Sequence, residues 1–169
     1  MSRAAVTDPR AHLAAVAAVA TMPGQPEALF AALDAALGAV LGHRLFTLMR
    51  YHADSGDSER IYTTHPREYP TGGRKALNPT PWAEQVLRRQ RPYLGRTAAD
   101  VREVFFDHAL IAALGCGSVL NVPVVWNGRS LGTINLLHEE GWYEAGDEGI
   151  GLLFAALAVP AYLTLERGA

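Results

Sequence analysis

Two β-rich runs, Ser118–Trp126 and Ser130–Leu137, meet at Asn127-Gly128. Asparagine and glycine both tolerate positive φ, which the tight two-residue turn between antiparallel strands demands, so this stretch predicts a β-hairpin. The polar Asn121 and Asn135 interrupt strands that are otherwise apolar. A second, less regular hairpin is expected upstream. Leu45, Thr47, Met49 and Tyr51 alternate with Phe46, Leu48 and Arg50, the polar cluster Ala53–Asp57 turns the chain, and Arg60–Thr64 returns.

Helices are expected on either side of these strands. An alanine-rich N-terminal segment opens with Asp8 as cap and Pro9 in the first turn, and Pro23-Gly24 ends it. From about Pro26 to Leu41, residues Phe30, Leu33, Leu37, Val40 and Leu41 recur at helical spacing, and Gly42 stops the run. After Gly141–Gly146, a C-terminal helix begins near Asp147. Its residues Leu152, Leu153, Ala156, Val159 and Leu163 make it apolar nearly all round, so it needs cover on more than one side, from the sheet and from an N-terminal helix or a second subunit.

The middle is irregular. His65–Pro79 holds several prolines, the pair Gly72-Gly73 read as a turn, and the basic Arg67, Arg74 and Lys75. Connections of this length inside a compact domain are usually functional or mobile. Thr80 then caps a helix with Pro81 at its first position, continuing to about Gln90. Arg91–Leu94 reads as an edge strand, where proline is tolerated. Thr97 caps a short helix whose first turn Asp100 suits.

Composition sets the class. The chain has 169 residues, the size of one domain, with 49% hydrophobic and 19% charged residues, which excludes a disordered tail. A net charge of −2 argues against nucleic-acid or anionic-membrane binding. The single cysteine excludes an internal disulfide framework and a zinc knuckle, and no metal-binding set of histidines stands out. The N-terminus lacks the apolar core of a signal peptide. The apolar stretch Ile150–Leu165 is shorter than the ~20 residues of a membrane span. A soluble, cytoplasmic protein with no membrane partner is expected.

The order helix, helix, hairpin, helical middle, hairpin, helix resembles the GAF domain, a small-molecule-binding relative of the PAS fold. Gly117-Ser118-Val119-Leu120-Asn121-Val122-Pro123-Val124 is similar to the family's S-x-x-x-V-P strand. Asn127-Gly128-Arg129-Ser130-Leu131-Gly132-Thr133-Ile134 is similar to its x-G-x-x-x-G-x-L hairpin, and Thr80-Pro81-Trp82 to the helix bordering the ligand pocket. The resemblance covers roughly residues 26–165. It implies an α+β fold: an antiparallel sheet with the terminal helices packed on one face and the ligand-pocket segment on the other. It divides the chain into an N-terminal helix for dimerisation or packing (1–24) and a GAF-like domain (25–169). It further implies a sensory, non-enzymatic domain, homodimeric through its terminal helices, with no room for an attached effector and an unidentified small-molecule ligand.

The pocket implied by the resemblance is walled by Thr80, Trp82, Phe105, Phe106, Val119, Asn121 and Asn135, under a lid carrying His65, Arg67 and Tyr69, with His108 and Cys116 nearby. The two asparagine amides either read a ligand's donors and acceptors or tie down nearby loops. Arg67, Arg74 and Lys75 either pair with an anionic ligand or form a solvated loop. Asp107-His108 either orients a ligand or caps a helix. Asn135, Tyr143, Asp147 and Glu148 stand where cyclic-nucleotide-binding relatives carry Asn-Lys…Phe-x-x-x-Asp-Glu. Leu136 replaces the lysine, so its pair with aspartate cannot form, and the two acids suit a helix start. The enzymatic alternative is a thiol-dependent oxidoreductase of the free methionine sulfoxide reductase type using Cys116. Those relatives employ more than one cysteine, whereas Cys116 stands alone. The cofactor is unknown.

Overall fold

The computed structural model describes Arg3 and residues 5–168. The chain runs α1 (Arg10–Val19), α2 (Glu27–Val40), β1 (Leu45–His52), β2 (Asp57–Thr63), β3 (Gly72–Ala76), α3 (Pro81–Ala83), a π-helical turn (Glu84–Arg88), β4 (Tyr93–Gly95), α4 (Ala98–Val104), α5 (His108–Ala113), β5 (Ser118–Trp126), β6 (Arg129–His138) and α6 (Asp147–Arg167). The strands form a six-stranded antiparallel sheet in the order β3-β2-β1-β6-β5-β4.

The β5–β6 hairpin is as its sequence predicts. Asn127 and Gly128 both take positive φ, 50° and 73°. Side-chain alternation then sorts each strand onto two faces. Phe46, Leu48, Leu120, Val122, Ile134 and Leu136 join Phe30, Leu33 and Leu37 of α2 and Phe154, Ala158 and Tyr162 of α6 in the main core. α1 adds Val16 to this core and packs on α2. Gly151 lets α6 approach β5 closely, since a β-carbon there would sit 2.6 Å from Val122 Cγ2. Leu45, Val119 and Leu137 point the other way, into a smaller cluster with Tyr69, Val101, Ile111 and Cys116. The terminal helices therefore cover one face of the sheet, and the segment from β3 to α5 lies toward the opposite, distal face.

Several local expectations change. Gly72 and Gly73 are not a free turn: both lie in β3, at the edge of the sheet, with positive φ. The helix expected from Pro81 to Gln90 makes one α-turn and then widens into the π-helical turn, before Gln90 breaks it at φ 56°. Asp8 does not sit at the cap position itself. Pro9 does, while Asp8 accepts the Arg10 backbone N–H at 3.0 Å. α5, absent from the sequence reading, follows Asp107. At Thr97 the expectation holds in full: its hydroxyl accepts from Asp100 N and the Asp100 carboxylate accepts from Thr97 N, a reciprocal capping box.

Candidate functional site

Cross-strand pairing places Tyr93, Asn121, Asn135, Thr47 and Thr63 in one row across β4, β5, β6, β1 and β2 on the distal face. The middle of this row is buried and polar, with Asn121 2% and Asn135 8% exposed. A buried amide without partners is costly, and here a relay supplies them. The Trp82 indole Nε1–H donates to Asn121 Oδ1 at 2.9 Å, Asn121 Nδ2 donates to Asn135 Oδ1 at 2.8 Å, and Asn135 Nδ2 donates to Thr47 Oγ1 at 3.2 Å. The relay fixes the indole against the sheet, and Phe105 meets it edge-on at 6.4 Å between ring centroids.

A second group lies under the segment after β2. Tyr69 is buried and its hydroxyl donates to Asp107 Oδ2 at 2.6 Å. Burial first, and this carboxylate second, push the phenol far above its ordinary range. The Arg60 guanidinium stacks 4.9 Å from the centroid of the same ring, and its Nη1 donates to Pro70 O at 3.1 Å. Burial lowers the pKa of Arg60.

The expected residues are thus partly assembled. Trp82, Phe105, Asn121 and Asn135 meet on the distal face, and Tyr69 and Cys116 share the smaller cluster. His65 closes onto Thr64, its Nδ1 3.0 Å from Thr64 Oγ1, and His108 is half-buried at the start of α5. Thr80 spends its hydroxyl on capping α3, accepting from Ala83 N at 3.1 Å. Arg67 lies in solvent beside Glu68, and Phe106 is 85% exposed with Lys75 over its ring. Arg74 reaches Asp57 at 2.8 Å. The Cys116 thiol is buried, which pushes its pKa up to about 11 even though the positive charge of Arg44 opposes the shift.

The sequence reading missed Thr47, Arg60 and Thr133, all on the distal face. The regular alternation of β1 gave a signal for Thr47. The bulge that shifts β2 against β1 beyond Leu48 hid Arg60, because it changes which residues of β2 share a face. At α6, Asp147 is held by two 2.7 Å bonds from Arg3 and also accepts from Glu144 N, so the acid at this helix start serves an ion pair and a cap. Among the described residues no group of three or more metal-ligating side chains forms.

Two clefts open elsewhere, and of the residues the sequence singles out for ligand binding only Arg74 lines one of them. One, of 510 Å³, runs between Val125 and Trp126 of β5 and the outer side of α6. The other, of 670 Å³, lies between the β1–β2 and β5–β6 turns and is edged by Arg50, Arg74, Arg88 and Arg129.

No family model and no curated protein matches the chain. Its structure is similar to the GAF domain of a phosphoenolpyruvate-protein phosphotransferase from Coxiella burnetii, with 16% identity, 95% of this chain and 96% of that one covered, and a TM-score of 0.72. It is also similar to the phycoerythrobilin-bound GAF domain of a cyanobacterial phytochrome, with 19% identity, 96% and 99% covered, and a TM-score of 0.70. A third likeness is to the GAF domain of a two-component sensor histidine kinase from Bacillus halodurans, with 14% identity, 83% and 95% covered, and a TM-score of 0.65. Near-complete coverage of single domains by one chain, with the terminal helices on one face and the segment from β3 to α5 toward the other, shows that the chain has the GAF-domain fold.

Proposed function

We propose that this protein is a sensory domain that binds a small molecule on the distal face of its sheet. The observation that carries the reading is the relay Trp82–Asn121–Asn135–Thr47, a line of polar groups set in an apolar face beneath an aromatic ring. An apolar surface with a few fixed polar groups is what a small-ligand site requires. The phytochrome domain of the same fold is bilin-bound, which supports ligand binding as the use of this architecture. The candidate set is His65, Arg67, Tyr69, Thr80, Trp82, Phe105, Phe106, His108, Cys116, Asn121 and Asn135, of which the relay residues and Phe105 form the floor. A thermal-shift screen of purines, cyclic nucleotides, amino acids and aromatic acids tests the proposal. A rise in Tm with one class is expected, and no rise with any class would overturn it.

The response is carried by the terminal helices, in a homodimer. The exposed side of α6 presents Gly149, Leu152, Leu153, Ala156 and Pro160, which recur at intervals of three and four residues as one apolar seam. Ligand binding shifts the balance between two packings of this seam. Sedimentation at micromolar concentration is expected to find a dimer, and Leu153→Glu a monomer. A wild-type monomer would remove the dimer from the account.

The thiol-dependent alternative finds little support in Cys116. A buried thiol with a pKa near 11 is almost wholly protonated at neutral pH, and the thiolate is the reactive form.

A further inference from the structure

The row next to the asparagine relay carries two further polar side chains, each with one buried atom that has no hydrogen-bond partner. Thr133 of β6 pairs with Met49 of β1, and Met49 with Arg60 of β2, so the three lie side by side on the distal face. Thr133 is 2% exposed and its Oγ1 makes no hydrogen bond; the buried Arg60 Nε makes none either. Adjacent strands lie roughly 4.8 Å apart, so the backbones that carry the two orphans are about 10 Å apart across Met49.

Arg60 differs from Arg3, another partly buried arginine, which is neutralised by two bonds to Asp147. The single hydrogen bond of Arg60 leaves from Nη1, to the Pro70 carbonyl. Its Nε–Nη2 edge, the two-pronged side that matches a planar carboxylate, holds no bond among the described residues. Among the described residues no carboxylate forms an ion pair with Arg60; Asp107, which accepts from the Tyr69 hydroxyl, favours the guanidinium charge only through space. Arg60 as a whole is half-buried, but its enclosed Nε–H is a buried donor with no acceptor, which is costly to keep. The Tyr69 ring behind the guanidinium holds the free edge in place.

We propose that Arg60 anchors the carboxylate of a small, flat monoanion lying along the Thr133–Met49–Arg60 row, with the Thr133 hydroxyl meeting a polar group at the ligand's far end. The inference rests on the distal-face reading and names the chemical class of its ligand. The apolar body of such a ligand would lie over Met49.

The probes are benzoate, phenylacetate and 4-hydroxyphenylacetate, their primary amides, and inorganic phosphate. They are followed by thermal shift and by the 15N–1H resonances of arginine Nε and tryptophan Nε1. The carboxylates are expected to raise Tm and move the Arg60 Nε–H resonance downfield, with the amides and phosphate at least tenfold weaker. Arg60→Gln is expected to weaken carboxylate binding tenfold or more and Arg60→Lys to recover part of it, whereas Arg102→Gln, on the exposed side of α4, leaves it unchanged. Equal binding of amides and acids at Trp82 would overturn the anchor and leave the distal-face site standing. Unchanged carboxylate binding in Arg60→Gln, or phosphate equal to the acids, would likewise overturn it. Binding of no probe would overturn the inference; if the broader ligand screen is also silent, the site falls with it. Should Arg60→Gln fail to fold, the Nε–H resonance of the wild-type protein decides: no movement with any carboxylate refutes the anchor.

Discussion

Asp34, His43 and Tyr62 illustrate how single polar residues tie the main core to its edge. Asp34 accepts from the Tyr62 hydroxyl at 2.7 Å and lies 2.9 Å from His43 Nε2. Burial by itself would raise the carboxyl's pKa, but the His43 and Tyr62 bonds outweigh it and hold the group below its ordinary 3.8. A carboxylate whose folded-state pKa is depressed binds protons more readily when unfolded. Its contribution to stability is therefore complete above the unfolded value and is lost as pH falls through the folded one. Thermal unfolding is accordingly expected to show Tm falling as pH drops below about 4, with a shallower fall in Asp34→Asn. An identical profile in both proteins would contradict this. Cys116 gives the converse case. With its thiol pushed to about 11, alkylation at neutral pH is expected to run about three-hundredfold slower, on thiolate fraction, than for an ordinary thiol of pKa ~8.5. Iodoacetamide kinetics against pH read this directly, and a rate matching a free thiol would restore the thiol-enzyme reading.

Among the elements, the β5–β6 hairpin was the most legible in the sequence, because turn chemistry and strand propensity agree there. The capping box at Thr97 and the length of α2 were legible for the same reason. β3 was not: Gly72-Gly73 has no side chains to show alternation, and the strand exists through its pairing with β2. The π-helical turn was hidden too, since its residues Glu84–Arg88 are ordinary helix formers and the widening depends on tertiary packing. Of the site, the two asparagines stood out as polar interruptions, but their mutual bond follows from the facing of β5 and β6. Arg60 was obscured by a bulge. Gly132 shows how tightly the elements then meet: a β-carbon there would lie 2.6 Å from Tyr162 Cε1 and clash with the Met49 backbone. Gly132→Ala is expected to cost about 3 kcal/mol in chemical denaturation, at the upper end of overpacking penalties, because the obstructing atoms include backbone. A loss under about 0.5 kcal/mol would mean that β1 and β6 can separate without penalty.

For the whole molecule, the two faces of one sheet differ in what covers them. The inner face is filled by α1, α2 and α6, and α6 is long and apolar enough in composition to cross a membrane, yet Phe154, Ala158 and Tyr162 are buried in the core. Its outer side keeps the apolar seam proposed for a second copy. The distal face carries the buried polar relay, under a segment with only short helices and an edge strand. α6 packs against β5 and β6 from behind the relay, so these two strands lie between the distal face and the proposed seam. The sharpest test of this account is a 15N–1H titration of the ligand that emerges from the screen, read at the three tryptophan indoles and at the side-chain amides of Asn121 and Asn135. The account predicts that Trp82 Nε1–H and both amides move with one saturation curve. Movement confined to Trp126, beside the outer groove of α6, or to Trp142, whose indole is bound to Leu41 O on the other side of the core, would contradict it.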